Sequence, residues 1–239
     1  MIYMGSKARI AKDILPIMLD DIGDNWFMDL FCGGGNLIQF ATCKKKFASD
    51  INPYTIAFLK NLQKKGTDWL PKTVYEFSRE NYMHMKLHKD AFSKAVLGHV
   101  GYNLSYGGKW FGGFRADKVG KRDYVAEAYR GACKQAELIK DVRFACCSYD
   151  KVKIPSNAVV YCDIPYKDTT KYNAVDEFNH EAFYKWCRAR TREGIKVYVS
   201  EYNMPEDFKC VWQKQIRLQT KKDDNSTKVT EKLFLCNLT

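Results

Sequence analysis

Asp163, Ile164, Pro165 and Tyr166 stand together at the end of an apolar run, Val159-Val160-Tyr161-Cys162. A carboxylate, a main-chain carbonyl and a phenol ring in one short turn are what an exocyclic aromatic amine needs to become a nucleophile. Such an amine is weak because its lone pair is delocalised into the ring. Asp163 accepting one N–H and the Ile164 carbonyl accepting the other draw the nitrogen toward a pyramidal, attacking geometry. Tyr166 can stack on the base and fix its plane. The plain alternative is a strand that ends in an ordinary Asp-x-Pro turn, and so short a motif needs its context.

The elements that must hold this turn can be read from the neighbouring residues. The run before Asp163 is β-branched and apolar, as in a strand buried on both faces. Pro165 cannot donate to a ladder and fixes its own φ, so it belongs in a rigid turn just past the strand end. The acid and the ring are then expected at the carboxyl edge of a sheet, where open α/β sheets bind ligands.

A second strand-and-turn begins at Trp26 and runs through Asp29 and Phe31 into Gly33, Gly34, Gly35 and Asn36, with a helix predicted from Leu37. Consecutive glycines permit positive φ and close approach of a ligand, which suits a nucleotide-like molecule. Ile38 occupies the place of the third glycine of a Gly-x-Gly-x-x-Gly loop, so a pyrophosphate cofactor such as NAD is poorly served. Residues 47–54 read as another short strand ending in Asp50, 21 residues after Asp29. A carboxylate there can take two ribose hydroxyls. It can equally cap a helix over Thr55–Lys64.

Ahead of these, Tyr3-Met4-Gly5-Ser6-Lys7 leads into an apolar-periodic helix through Ile10, Ile14, Ile17 and Met18, with Ser6 as its cap and Pro16 as a kink. Gly5 and Lys7 can offer amides and an ammonium to a carboxylate. Further along, a helix is expected over residues 123–140 and strands over 142–150 and 196–202. A helix over Glu181–Arg192 is begun by Asn179 or Asp176, and residues 167–172 form a loop over the site. A terminal hairpin joins Val211–Thr220 to Lys228–Leu238 about a polar Lys-Lys-Asp-Asp-Asn-Ser turn.

The chain has 239 residues, 46% hydrophobic and 28% charged, which suits a globular α/β core with an insertion. No run approaches the ~18 apolar residues of a membrane span, and the first residues lack an apolar signal core, so a cytoplasmic protein is expected. Nine scattered cysteines without a Cys-x-x-Cys pair fit reduced thiols. His84 and His88 share a helical face as a possible metal pair, but no third ligand is in evidence nearby. The net charge is +11, and residues 61–140 hold 15 Lys and Arg against 8 Asp and Glu, a net +7. That points to a polyanion, nucleic acid first. The same segment contains Gly101 to Arg115, where aromatics alternate with glycines and cations. Such a stretch can stack on bases and contact phosphates, or it can tuck its rings into the core.

Taken together and in order, these motifs resemble the Dam-type N6-adenine DNA methyltransferases over nearly the whole chain. Tyr3 to Lys7 resembles the family's N-terminal motif, and Asp29 to Asn36 its S-adenosylmethionine loop. Asp50 and Ile51 resemble its ribose-binding segment, and Ser148, Tyr149 and Asp150 stand where the family meets the cofactor's adenine. Asp163 to Tyr166 matches Asp-Pro-Pro-Tyr except at Ile164, whose carbonyl can still serve while the turn loses a ring. The resemblance implies a methyltransferase (Rossmann-like) mixed α/β sheet with a terminal β-hairpin. Residues 1–60 and 141–239 would form the catalytic domain, and 61–140 a helical target-recognition insertion.

The resemblance further implies Tyr3, Lys7, Asp29, Phe31, Gly33, Gly35, Asn36, Asp50, Ile51, Ser148, Tyr149 and Asp163 as cofactor-binding residues. Asp163, Ile164, Pro165 and Tyr166 would be catalytic, and Lys109, Trp110 and Arg115 would contact DNA. The partner would be double-stranded DNA and the protein a monomer. S-adenosylmethionine would be the cofactor, S-adenosylhomocysteine its product, and no metal is called for. The target adenine would be flipped out and its N6 would attack the sulfonium methyl in line. The rival readings are transfer to an amine of RNA or a protein amide, a non-catalytic DNA-binding relative suggested by Ile164, and a nicotinamide-dependent oxidoreductase.

Overall fold

The strands are β1 (Trp26–Asp29), β2 (Lys45–Asp50), β3 (Val142–Cys146), β4 (Val159–Asp163), β5 (Lys196–Ser200), β6 (Phe208–Arg217) and β7 (Lys228–Cys236). In the computed structural model, which describes residues 1–117, 119–167, 178–217 and 228–237, they build one sheet in the order β3-β2-β1-β4-β5-β7-β6. Strands β1 to β5 pair in parallel, and β7 runs antiparallel to both β5 and β6. From β1 the chain steps outward to β2 and β3, then returns across β1 to β4 and on to β5. The reversal puts the crevice at the carboxyl ends of β1 and β4, where such sheets take their ligands. Asp29 pairs with Tyr161 there, and Asp163 lies two residues further along β4.

Alternation of side chains along β4 feeds two cores. Val159 and Tyr161 join Phe27, Ala48 and the apolar faces of helices α1 (Ala11–Leu19) and α2 (Pro53–Lys65). Val160 and Cys162 join Met28, Leu30 and the residues Phe183 and Cys187. Cys162 is thus a buried strand residue. The remaining helices are α3 (Arg79–Leu87), α4 (Lys94–Gly98), α5 (Tyr124–Leu138) and α6 (His180–Arg192), the last of which carries Phe183 and Cys187. A third cluster holds Phe77, Tyr82, Leu97, Val100, Leu104 and Phe111 with Val125 and Ala128. Since Ala132 of α5 belongs to the first core, that helix ties the segment between residues 61 and 140 to the sheet.

Several boundaries differ from the sequence reading. After the glycines only a single 3-10 turn forms, Ile38–Phe40, instead of a helix. Eight residues (37–44) must carry the chain back across the length of β1 to the start of β2. As an α-helix they would advance roughly 12 Å with none left for the connections, so a short turn followed by extended chain covers the distance. Ser6 caps the 3-10 turn Lys7–Arg9 and not α1, and Pro16 sits inside α1, which continues to Leu19. Asn52 caps α2 through the amides of Tyr54 and Thr55, leaving Asp50 for other partners. Asn179 caps α6. Asp176, the end of the loop over the site, and the Lys-Lys-Asp-Asp-Asn-Ser turn lie outside the described residues. Among the described residues no helix is long and apolar enough to cross a membrane.

A glycine lets α4 pack closely on α2. A Cβ on Gly98 at the end of α4 would lie 2.2 Å from the Tyr54 carbonyl oxygen and 3.0 Å from Phe58 Cβ. Backbone cannot yield as a flexible side chain does, so Gly98→Ala is expected to cost about 3 kcal/mol through overpacking. A clear drop in the urea midpoint is the outcome to look for; an unchanged midpoint would mean that α2 and α4 are not in such contact.

Candidate active site

Three segments far apart in sequence meet at the end of β4. Lys7 Nζ lies 3.0 Å from Asp163 Oδ1 and 3.6 Å from Glu231 Oε2, and 4.8 Å above the Tyr166 ring. The Tyr166 hydroxyl donates to Glu231 at 3.0 Å, and its ring meets Tyr202 edge-on at 4.6 Å. The Asp163 side chain keeps 21% of its surface exposed, so a substrate can reach it. Burial pushes its carboxyl up to about 6; Lys7 pulls the other way, and Glu231 and Glu201 add to the rise.

The turn that presents these groups is pinned on several sides. Ile164, which departs from the Asp-Pro-Pro-Tyr pattern, is 2% exposed and packs in the second core. Rigidity that a proline ring would supply is replaced there by burial of a branched side chain. His180 Nε2 lies 2.9 Å from the Pro165 carbonyl, and Glu201 accepts the amides of Lys167, at 2.7 Å, and Tyr202.

Beside this turn, at the end of β1, Gly33 and Gly35 take φ values of +46° and +67°. A Cβ at Gly33 would fall 2.5 Å from Tyr3 Cε1, so the glycine is needed for the tyrosine ring to lie on the turn. Asp50 accepts the Gly33 amide through Oδ2 and the Asn52 amide through Oδ1, both at 2.8 Å. Asp29 is buried, with Oδ1 unpartnered; burial and then the charge of Asp163 hold its carboxyl well above the usual range. Asn36 takes the Met1 amine on Oδ1 at 3.2 Å and leaves Nδ2 unpartnered. Phe31 stacks on Tyr149 with centroids 5.4 Å apart, and Ser148 leads into the 3-10 turn that carries Tyr149. Ile51 is exposed. The carboxyl ends of β1, β2, β3 and β4, with Tyr3 and Lys7 from the N-terminal segment, therefore bring the expected cofactor residues to one edge.

The glycine-aromatic stretch adjoins that edge. A Cβ at Gly108 would lie 2.9 Å from the Tyr3 amide nitrogen, Tyr102 stands 5.1 Å from the Tyr3 ring, and the Tyr102 hydroxyl accepts Asn52 Nδ2 at 2.6 Å. Lys109 is exposed. Trp110 is half-buried against Tyr54, Tyr102 and Phe111, with Gly101 beneath it; its ring braces the loop. Arg115 lies 3.8 Å from Glu127 and over the Tyr124 ring.

Glu231, Glu201, His180 and Tyr102 were not singled out by motif. Glu231 had a signal: it shares a face of its strand with Leu233, and an acid at such an inward position asks for a partner.

Residues 3–209 match the profile of the D12 class N6 adenine-specific DNA methyltransferases. The chain belongs to this family. The Type II methyltransferase M.FokI of Planomicrobium okeanokoites is 26% identical over 191 residues, which are 72% of this chain and 29% of that protein. The chain thus spans under a third of that relative's length. Two solved structures of the rRNA methyltransferase AviRa from Streptomyces viridochromogenes overlap 96% of this chain and 84% of theirs, with TM-scores of 0.43 and 0.41 at 15% and 14% identity. Likeness at that level does not bear on function.

For a D12 family member, Ile164 is the residue to question. Ile164→Ala is expected to cost about 2–4 kcal/mol, since it empties a closed part of the second core. Urea denaturation reads this directly, and a loss under 1 kcal/mol would mean that burial does not brace the turn.

Proposed function

We propose that this chain transfers a methyl group from S-adenosylmethionine to N6 of adenine in double-stranded DNA, on a base turned out of the helix. The observation that carries the reading is the reachable Asp163 carboxylate, set beside the glycine turn and Asp29 at the reversal of strand order. The residues present suit the cofactor. Asp29, Asp50, Asp163, Glu201 and Glu231 all approach this edge, while Lys7 answers both Asp163 and Glu231; a cationic ligand relieves that imbalance. The unpartnered atoms of Asp29 and Asn36 are further places for its polar groups, and Asp50 for its ribose. When bound, S-adenosylmethionine supplies an electrophilic methyl on sulfonium.

The protein's own part is to prepare the amine. Asp163 accepts one N6 hydrogen and the Ile164 carbonyl the other, which draws the lone pair out of conjugation with the ring. Tyr166 lies against the base and keeps its plane fixed. Asp163 is also the group placed to hold the proton that the amine gives up. Extruding the base costs a few kcal/mol in lost stacking and pairing, which binding to the backbone must offset. Lys109 is exposed and follows Gly108, which lies against the Tyr3 backbone. A wider basic surface is available at Lys60, Lys64, Lys65 and Lys94, which line an open groove of about 480 Å³ on α2 and α4.

Radiolabel transfer from S-adenosylmethionine to unmethylated DNA and to RNA tests the reading, and transfer to RNA alone would overturn it. Asp163→Ala should lower the rate at least a hundredfold with the melting temperature little changed. In the wild type the rate should rise with pH through about 6 and level off above it, because the carboxylate form is required and the acid form accepts nothing from the amine. Turnover that is retained in the variant, or equal at pH 5 and 8, would remove Asp163 from this role. Lys109→Ala should weaken DNA binding and reduce the salt slope by about one unit; an unchanged slope excludes Lys109 from the interface.

A further inference from the structure

Glu231 is an acid at a core-facing position of a strand: it is 8% exposed, and Leu233, two residues along the same face, is fully buried. A buried carboxylate is costly unless it is paired and hydrogen-bonded. Its two partners among the described residues come from elsewhere in the chain. The Tyr166 hydroxyl donates to Oε2 at 3.0 Å from the turn after β4, and Lys7 Nζ stands 3.6 Å from the same oxygen on the N-terminal turn. Lys7 also reaches Asp163 Oδ1 at 3.0 Å, so one ammonium is shared between two carboxylates on different strands.

We propose that Glu231 is a positioning residue: by sharing Lys7 with Asp163 and accepting the Tyr166 hydroxyl, it keeps Asp163 available to the substrate amine and sets the plane of the Tyr166 ring. The inference rests on the reading of Asp163 as the acceptor of that amine. Without Glu231 the ammonium has Asp163 as its only close carboxylate among the described residues, and their hydrogen bond competes with the one the amine needs. The Tyr166 hydroxyl also loses its bond to Glu231.

The proposal makes a prediction in pH that a purely structural role does not. Among the described residues the groups facing Asp163 are Tyr3 and Lys7 in the N-terminal segment, Asp29 on β1, Tyr161 and Cys162 on β4, Tyr166 on the following turn, Glu201 and Tyr202 after β5, and Glu231 on β7. Burial and the charge of Asp163 push the Asp29 carboxyl upward, and at Asp163 the pull of Lys7 is opposed by Glu231 and Glu201. Removing the Glu231 charge leaves Lys7 the stronger influence, and the Asp163 carboxyl then ionises at lower pH.

Single-turnover methyl transfer to DNA, measured from pH 5 to 8.5, tests this in the wild type, Glu231→Gln and Tyr166→Phe. Glu231→Gln should lower the plateau rate roughly ten- to a hundredfold, the scale for losing a partner that orients a site group. Its acid limb should move to lower pH, while the affinity for S-adenosylmethionine changes less than the rate. Tyr166→Phe cuts the same hydrogen bond without altering a buried charge; it should lower the plateau several-fold and leave the acid limb in place. It also gives the answer should Glu231→Gln fail to fold. A Glu231→Gln protein with the wild-type plateau and limb overturns the proposal, as does a Tyr166→Phe protein with the full rate. A folded Glu231→Gln protein that is slow but has an unmoved limb also overturns it. If the wild type binds S-adenosylmethionine yet methylates no DNA, the reading of function falls and this inference falls with it.

Discussion

One ammonium group holds the site together. Lys7 lies between Asp163 and Glu231, so the N-terminal turn, the end of β4 and the terminal hairpin converge on a single charge. In partly buried surroundings such pairs are screened less than surface pairs, and removing one member leaves the others with an uncompensated charge. The arrangement also sets the chemistry available. Burial raises the Asp163 carboxyl to about 6 while Lys7 restrains the rise.

The other half of the site depends on steric fit. Tyr3 lies on the glycine turn so closely that no side chain fits at Gly33, and Gly108 brings the aromatic loop against the Tyr3 backbone. The glycine turn therefore has two neighbours, the first residues of the chain and the segment between residues 61 and 140. The third cluster, around Tyr82 and Leu104, gives the loop a firm base.

Ile164 shows how a motif can change while its geometry is kept. A second proline would restrict the turn through its ring, whereas isoleucine restricts it by entering the core beside Phe183. The carbonyl at this position belongs to the backbone and survives either choice. His180 on the Pro165 carbonyl and Glu201 on the Lys167 amide complete the bracing.

The sequence alone determined the strand that ends in Asp163, the glycine turn after Asp29, the acid at Asp50 and the closing hairpin. Each is written in a local pattern: alternation or β-branching for a strand, glycine for positive φ, proline for a stop. The helix expected after Asn36 failed because the limit there is the span back across the sheet, which no local propensity encodes. Only the tertiary structure decided that Glu231 faces Lys7 and Tyr166 and that Trp110 braces its loop. It alone also showed that Gly108 touches Tyr3. Those contacts join residues as far apart as 7 and 231, and such pairing follows from strand order and packing, which a single sequence does not spell out.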